Sequence, residues 1–197
     1  MIEKILMNLA YLFYPKNICY ETDNESYTKS EEYIRLNQII TKFDSDYKED
    51  ISKNILTEFR NDYTLKKLTD FTLFDWGDRC MTFNVSIIED GELFTISLLV
   101  SILIPYYIIE CKKNEIEIFY SESEISELQK QNQETRKTKE MIKKIKIIIE
   151  DKLFYNEFPK RMRNFIISDI SSQDARFGYF NMYNAFFNNL KITENEN

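Results

Sequence analysis

Glu110 and Lys112 lie two residues apart in the run PYYIIECKKNEIEIFY, residues 105–120. No other pair in this chain has types and spacing that point so directly to chemistry. On a β-strand, positions i and i+2 face the same way, so a carboxylate and an ammonium would stand side by side. A second carboxylate from a neighbouring strand would complete an oxygen-ligated Mg²⁺ site, with the lysine orienting or activating water. Asp78, Glu89 and Asp90 are the nearby candidates, Asp90 first among them. Asp90, however, precedes Gly91 at an expected hairpin tip. At about 3.4 Å per residue, residues 106–112 are too short to carry the chain back that far. The plainer reading is a charged hairpin end that also protects a strand edge.

A second polar group is DWGDR, residues 75–79, with two carboxylates, an indole and a guanidinium. The spacing suits a tight turn in which Gly77 takes an unusual φ and Asp75 or Asp78 bonds local amides. In an interface, Trp76 would be the natural anchor. Other catalytic sets are harder to build. The chain has no histidine, which removes the commonest general base and metal ligand and the usual partner of a Ser or Cys nucleophile. Glycine-rich phosphate loops, GxSxG and HExxH are absent. Cys19, Cys80 and Cys111 are an odd, widely spaced set without a CxxC pair, and read as free or buried thiols in a reducing compartment. No cofactor is expected.

A formal net charge of −7 argues against a general nucleic-acid binder and suits a basic protein partner. Lys143, Lys144 and Lys146 are bracketed by Glu140, Glu150 and Asp151, as on a solvated helix side. Lys160, Arg161 and Arg163 form the densest positive charge but have no interleaved stacking residues. The opening run Ile5 to Tyr14 is too short and too interrupted for a membrane span or a secretory signal. Ile2, Ile5, Leu6, Leu9, Leu12 and Phe13 fall on a helix face that Pro15 ends. A cytoplasmic protein with no membrane association is expected.

These residues need elements to hold them. At 197 residues, with 43% hydrophobic residues, the chain suits one domain. Residues 1–65 read as a helical layer. Tyr33, Leu36, Ile40 and Phe43 line one helix, capped by Ser26 or Thr28, and Ile51, Ile55, Leu56 and Phe59 line another. Residues 68–120 read as an antiparallel meander. Met81, Phe83, Val85 and Ile87 alternate with Cys80, Thr82, Asn84 and Ser86. Asp90-Gly91 then marks a two-residue turn, Pro105 a break, and KKNE a further hairpin. Residues 121–158 read as helical, with Met141, Ile145, Ile148, Ile149 and Leu153 on one stripe. Residues 163–190 read as a strand, NFIISDIS, plus an aromatic segment. Phe177, Phe180, Tyr183, Phe186 and Phe187 fall there near helical spacing, as core residues do. The fold expected is α+β: an antiparallel sheet of about five strands, N-terminal helices, and a long helix after the sheet.

Three stretches, LFYPKNI, ILIPYYIIE and DARFGYFNMYNAFFNN, resemble in order those of small cytosolic proteins encoded beside contact-dependent or polymorphic toxins in Bacteroidetes-type bacteria, the immunity proteins of such systems. The resemblance implies no catalysis. It implies instead tight binding of a cognate toxin domain and occlusion of its active surface. Asp75, Trp76, Asp78, Glu89, Asp90 and Glu92, around two turns expected to be adjacent, are the contact residues expected from charge and exposure. Two alternatives stand beside it: a Mg²⁺-dependent PD-(D/E)xK-like nuclease using Asp90, Glu110 and Lys112, and a non-catalytic adaptor domain. The oligomeric state is left open.

Overall fold

Two consecutive positive φ angles fold the centre of the sheet. Asp90 (52°) and Gly91 (80°) form the two-residue loop between β2 (Cys80–Glu89) and β3 (Glu92–Ser101), a geometry that matches the twist of the strands it joins. The computed structural model describes residues 2–114, 123, 126 and 138–188, the side chains of Tyr63 and Trp76 excepted. β2 and β3 pair over their full lengths, from Cys80 opposite Ser101 to Glu89 opposite Glu92. After the break at Pro105, β4 (Tyr106–Asn114) runs back along β3, with Tyr107 opposite Val100 and Asn114 opposite Leu93. Two short strands complete a mixed five-stranded sheet in chain order. β1 (Thr69–Asp70) is antiparallel to β2, and β5 (Asn156–Glu157) is parallel to β4.

The alternation expected in β2 divides two cores. Met81, Phe83, Val85 and Ile87 join Ile96, Leu98, Val100 and Tyr107 on one face. Covering that face are α4 (Lys48–Arg60), through Ile55 and Phe59, and α5 (Thr138–Asp151), through Met141, Ile145 and Ile149. Those three α5 residues recur every four positions, which lays them along one side of a helix. Cys80, Leu99 and Ile108 face the other way, against α1 (Ile2–Ala10) and the buried rings of Phe180, Tyr183, Phe186 and Phe187. Between the cores lies α3 (Glu31–Asp46), which buries Leu36 in the second and sets Phe43 edge-on to Phe74 in the first, 5.6 Å between centroids.

Three expectations are corrected. Ser30, not Ser26 or Thr28, caps α3, its hydroxyl accepting from the Tyr33 N–H; Ser26 and Thr28 lie in a separate helix, α2 (Asn24–Lys29), capped by Asp23. Lys112, Lys113 and Asn114 continue β4 in register with β3 rather than turning, and the strand expected at EIEIFY lies outside the described residues. The strand expected at NFIISDIS reduces to one bridge, Ile166 with Asn181, while the fifth strand is Asn156–Glu157. Residues 106–112 do stop short of the hairpin tip, with Lys112 opposite Thr95, and only Asn114 comes opposite Leu93.

Candidate functional site

The segment between β1 and β2 is built to hold its side chains still. Asp70 is its hub. One carboxylate oxygen accepts from the Thr72 N–H (2.8 Å) and hydroxyl (2.5 Å), and the other from the Ser52 hydroxyl of α4 (2.5 Å). The Thr72 oxygen in turn accepts from the Thr82 N–H of β2, and the Phe71 N–H donates to the Thr82 carbonyl. From there the chain alternates, with Thr72 and Phe74 buried and Phe71, Leu73 and Asp75 exposed. A 3-10 turn, Phe74–Trp76, closes on Gly77 in the left-handed region (φ 78°), as the glycine spacing required. Phe71 is 56% and Leu73 51% exposed, so two large apolar side chains stand out on a pinned loop beside Asp75.

Asp78 follows, half-buried. Loss of solvent pushes its carboxyl up to about 6, against the opposing pull of Arg79 and the Leu73 backbone N–H. Arg79 turns inward and is 6% exposed, its guanidinium 5.8 Å from the centre of the Tyr14 ring. The Arg79 backbone N–H donates to the Phe187 carbonyl (2.6 Å), which ties this end of β2 to the C-terminal segment. Trp76, the expected anchor, sits in the 3-10 turn, and its indole lies outside the described residues.

The acidic turn at the hairpin tip is not adjacent to this loop. Ten residues of β2 separate the two, about 30 Å of extended chain, and they occupy opposite ends of the sheet. The six expected contact residues therefore form two sites. Glu89, moreover, is already engaged, accepting from the Thr138 N–H (3.0 Å) and hydroxyl at the start of α5. A carboxylate there satisfies a free helix-terminal amide and complements the helix dipole. Glu92 pairs with Lys113 at 2.5 Å, and Asp90 is exposed at the tip.

Glu110 and Lys112 do share a face and approach to 3.5 Å. Asp90 does not join them. Glu110 lies opposite Ser97, which lies opposite Asn84, five residues or about 17 Å along β2 from Glu89. On the other side of Glu110, the Tyr183 hydroxyl is pushed up by burial and then by the Glu110 charge. Among the described residues no three Cys, Asp or Glu side chains are grouped to hold a metal ion. Two of the α5 lysines are similarly occupied: Lys144 pairs with Asp62 (2.9 Å) and Lys146 with Glu157 (2.5 Å). No helix among the described residues is long and apolar enough to cross a membrane.

A feature the sequence did not suggest lies between residues 19–24 and residues 171–176. Cys19, Glu21, Asn24, Ser172, Asp174 and Arg176 are among the residues lining a cleft of about 460 Å³. Ser171 holds its walls together, accepting from the Tyr20 N–H (2.8 Å) and donating to the Ile18 carbonyl (3.1 Å). Nothing in the local spacing could have revealed it, because its two walls are some 150 positions apart.

Comparison with known proteins yields no match: no family model, no curated protein and no solved structure aligns with this chain.

Proposed function

We propose that the protein works by covering the surface of another protein, as an immunity protein that occludes a cognate toxin domain in the bacterial cytoplasm. The observation that carries this reading is the exposed pair Phe71 and Leu73, held on a rigid loop beside Asp75. Two large apolar side chains kept in solvent on a pre-ordered loop are suited to insertion into a partner, since little conformational freedom remains to be lost on binding. The carboxylates of Asp75 and Asp78, with the chain's net charge of −7, favour a basic partner and speed its encounter. Toxin domains that act on nucleic acid are basic for the complementary reason.

In this reading the contact surface is centred on residues 71–78, and Glu89, Asp90 and Glu92 fall outside it. Cells expressing the product of the adjacent gene test it. Growth should be restored by the wild-type protein and lost again when Phe71 and Leu73 are both changed to Asp. A nuclease would instead cut plasmid DNA in Mg²⁺ and lose that activity in Glu110→Ala.

A further inference from the structure

We propose that two copies of this chain pair through β4, antiparallel about a two-fold axis at Cys111, so that the sheet of one protomer continues into the next. The alternation of hydrogen bonds across the sheet identifies the backbone groups that would do it. A two-residue turn makes Glu89 and Glu92 a hydrogen-bonded pair, so every second residue of β2 from Glu89 bonds to β3 and the others face the β1 side. The Thr82 carbonyl accordingly accepts from the Phe71 N–H. Carried across β3, the same alternation turns Thr95 and Ser97 toward Lys112 and Glu110. It leaves Tyr107, Ile109, Cys111 and Lys113 facing away from β3. The Tyr107 carbonyl agrees, accepting from the Phe158 N–H on the β5 side. β5 goes no further, because Pro159 has no N–H to donate and leads into a helical turn, Lys160–Arg163. The outward N–H and carbonyl groups of Ile109, Cys111 and Lys113 have no backbone partner among the described residues, and Cys111, Lys112 and Lys113 are exposed.

An open edge accepts any extended chain unless its side chains prevent it. Here the charges admit a second copy in one register. With Cys111 opposite the partner's Cys111, Glu110 stands opposite the partner's Lys112, and Lys112 opposite the partner's Glu110. Both are non-hydrogen-bonded pairs, in which side chains lie closest. Glu110 and Lys112 already approach to 3.5 Å within one strand, so the dimer closes four alternating charges on one face. Moving the axis one residue either way sets Glu110 against the partner's Glu110, or Lys112 against the partner's Lys112, and like charges directly opposite are unfavourable. Lys113 adds no repulsion, since it projects to the other face, pairs with Glu92 at 2.5 Å and falls opposite the partner's Ile109. The pairing would form about six backbone hydrogen bonds. The strands run in the order β1-β2-β3-β4-β5, so the loop at residues 71–78 stays open in both protomers and its proposed contact is independent of the dimer.

The test is sedimentation equilibrium of the reduced protein at concentrations up to about 1 mM, with cross-linking by diamide in parallel. A monomer–dimer equilibrium is expected. Lys112→Glu changes a side chain that is 53% exposed and sets carboxylate against carboxylate. It should weaken the dimer at least about tenfold with an unchanged melting temperature. Cys111→Pro removes an outward N–H and no bond within the sheet, and should abolish association. In a hydrogen-bonded pair the two Cys111 Cα atoms lie about 5.5 Å apart, within disulfide reach. Diamide, which takes up the two electrons and two protons, should therefore link wild-type protomers through Cys111 and leave Cys111→Ser unlinked. A monomer at every concentration, a dimer equally strong in Lys112→Glu or retained in Cys111→Pro, or cross-linking through Cys19 instead would each overturn the proposal.

Discussion

Asp78 and Glu89 are both acidic residues at ends of β2, and their surroundings put them to opposite uses. The Asp78 carboxyl is raised from 3.8 to about 6 by loss of solvent, so the folded state resists its ionisation. The folded protein then binds more protons than the unfolded chain between these values, and stability must fall as pH rises through that window. Asp78→Asn keeps an acceptor for the Leu73 N–H and removes the charge. It should stabilise the protein by about 1 kcal/mol at pH 7, after discounting for a group that water partly screens, and leave it unchanged at pH 3. Urea titrations at the two pH values check this. Glu89 holds two elements together instead, its carboxylate accepting from the Thr138 N–H and hydroxyl at the head of α5. Glu89→Ala should cost about 1–2 kcal/mol in the same titration at pH 7, and Glu89→Gln less, since the amide oxygen can still accept. The charge of each residue was legible in the sequence. Its use was not, because each depends on a group that only the folded chain brings near.

At the scale of elements, what could be read was whatever repeats. The α3 and α4 faces, the alternation along β2 and β3 and the stripe on α5 each recur several times, so periodicity located them. The Asp90-Gly91 turn was legible for a different reason, a backbone conformation that few residue pairs adopt. β5 has two residues and no period to show. The run at residues 164–171 misled because its apolar residues are indeed buried at Ile167 and Ile170. They pack through one bridge and a series of turns, with the Ile167 N–H on the Phe180 carbonyl and the Met182 N–H on the Phe165 carbonyl. The two turns expected to be adjacent are not, on simple geometry: turns at the two ends of one strand are close in sequence and far apart in space. One element also carries strain. After α5, Phe154 adopts a left-handed conformation (φ 60°), letting the Tyr155 N–H reach the Ile149 carbonyl, while its ring is 80% exposed. A left-handed phenylalanine costs about 1–2 kcal/mol that glycine avoids. With little packing to lose, Phe154→Gly should raise stability by about 0.5–1 kcal/mol, visible as a higher melting temperature.

Across the whole molecule, the early and late parts of the chain are stitched together around the sheet. Tyr11 donates to Asp169, Tyr14 to the Ala185 carbonyl, Tyr27 to the Ser171 carbonyl, and the Asn17 N–H to the Asp169 carbonyl. The tyrosines that made this composition rich in aromatics therefore fasten remote segments as well as filling the core. The same packing fixes the end of β2 through Arg79, on which the residue 71–78 loop depends. A loop held at both ends by buried bonds presents Phe71 and Leu73 in one geometry, the property a tight-binding surface needs.

The most direct test is a calorimetric titration of the purified protein with the product of the adjacent gene. Saturable one-to-one binding is expected, weakened at least roughly a hundredfold in the Phe71→Ala, Leu73→Ala double variant, if each side chain contributes as buried interface anchors do. The variant should melt as the wild type does, since both side chains are exposed. Absence of binding, or equal affinity in the double variant, would contradict the account.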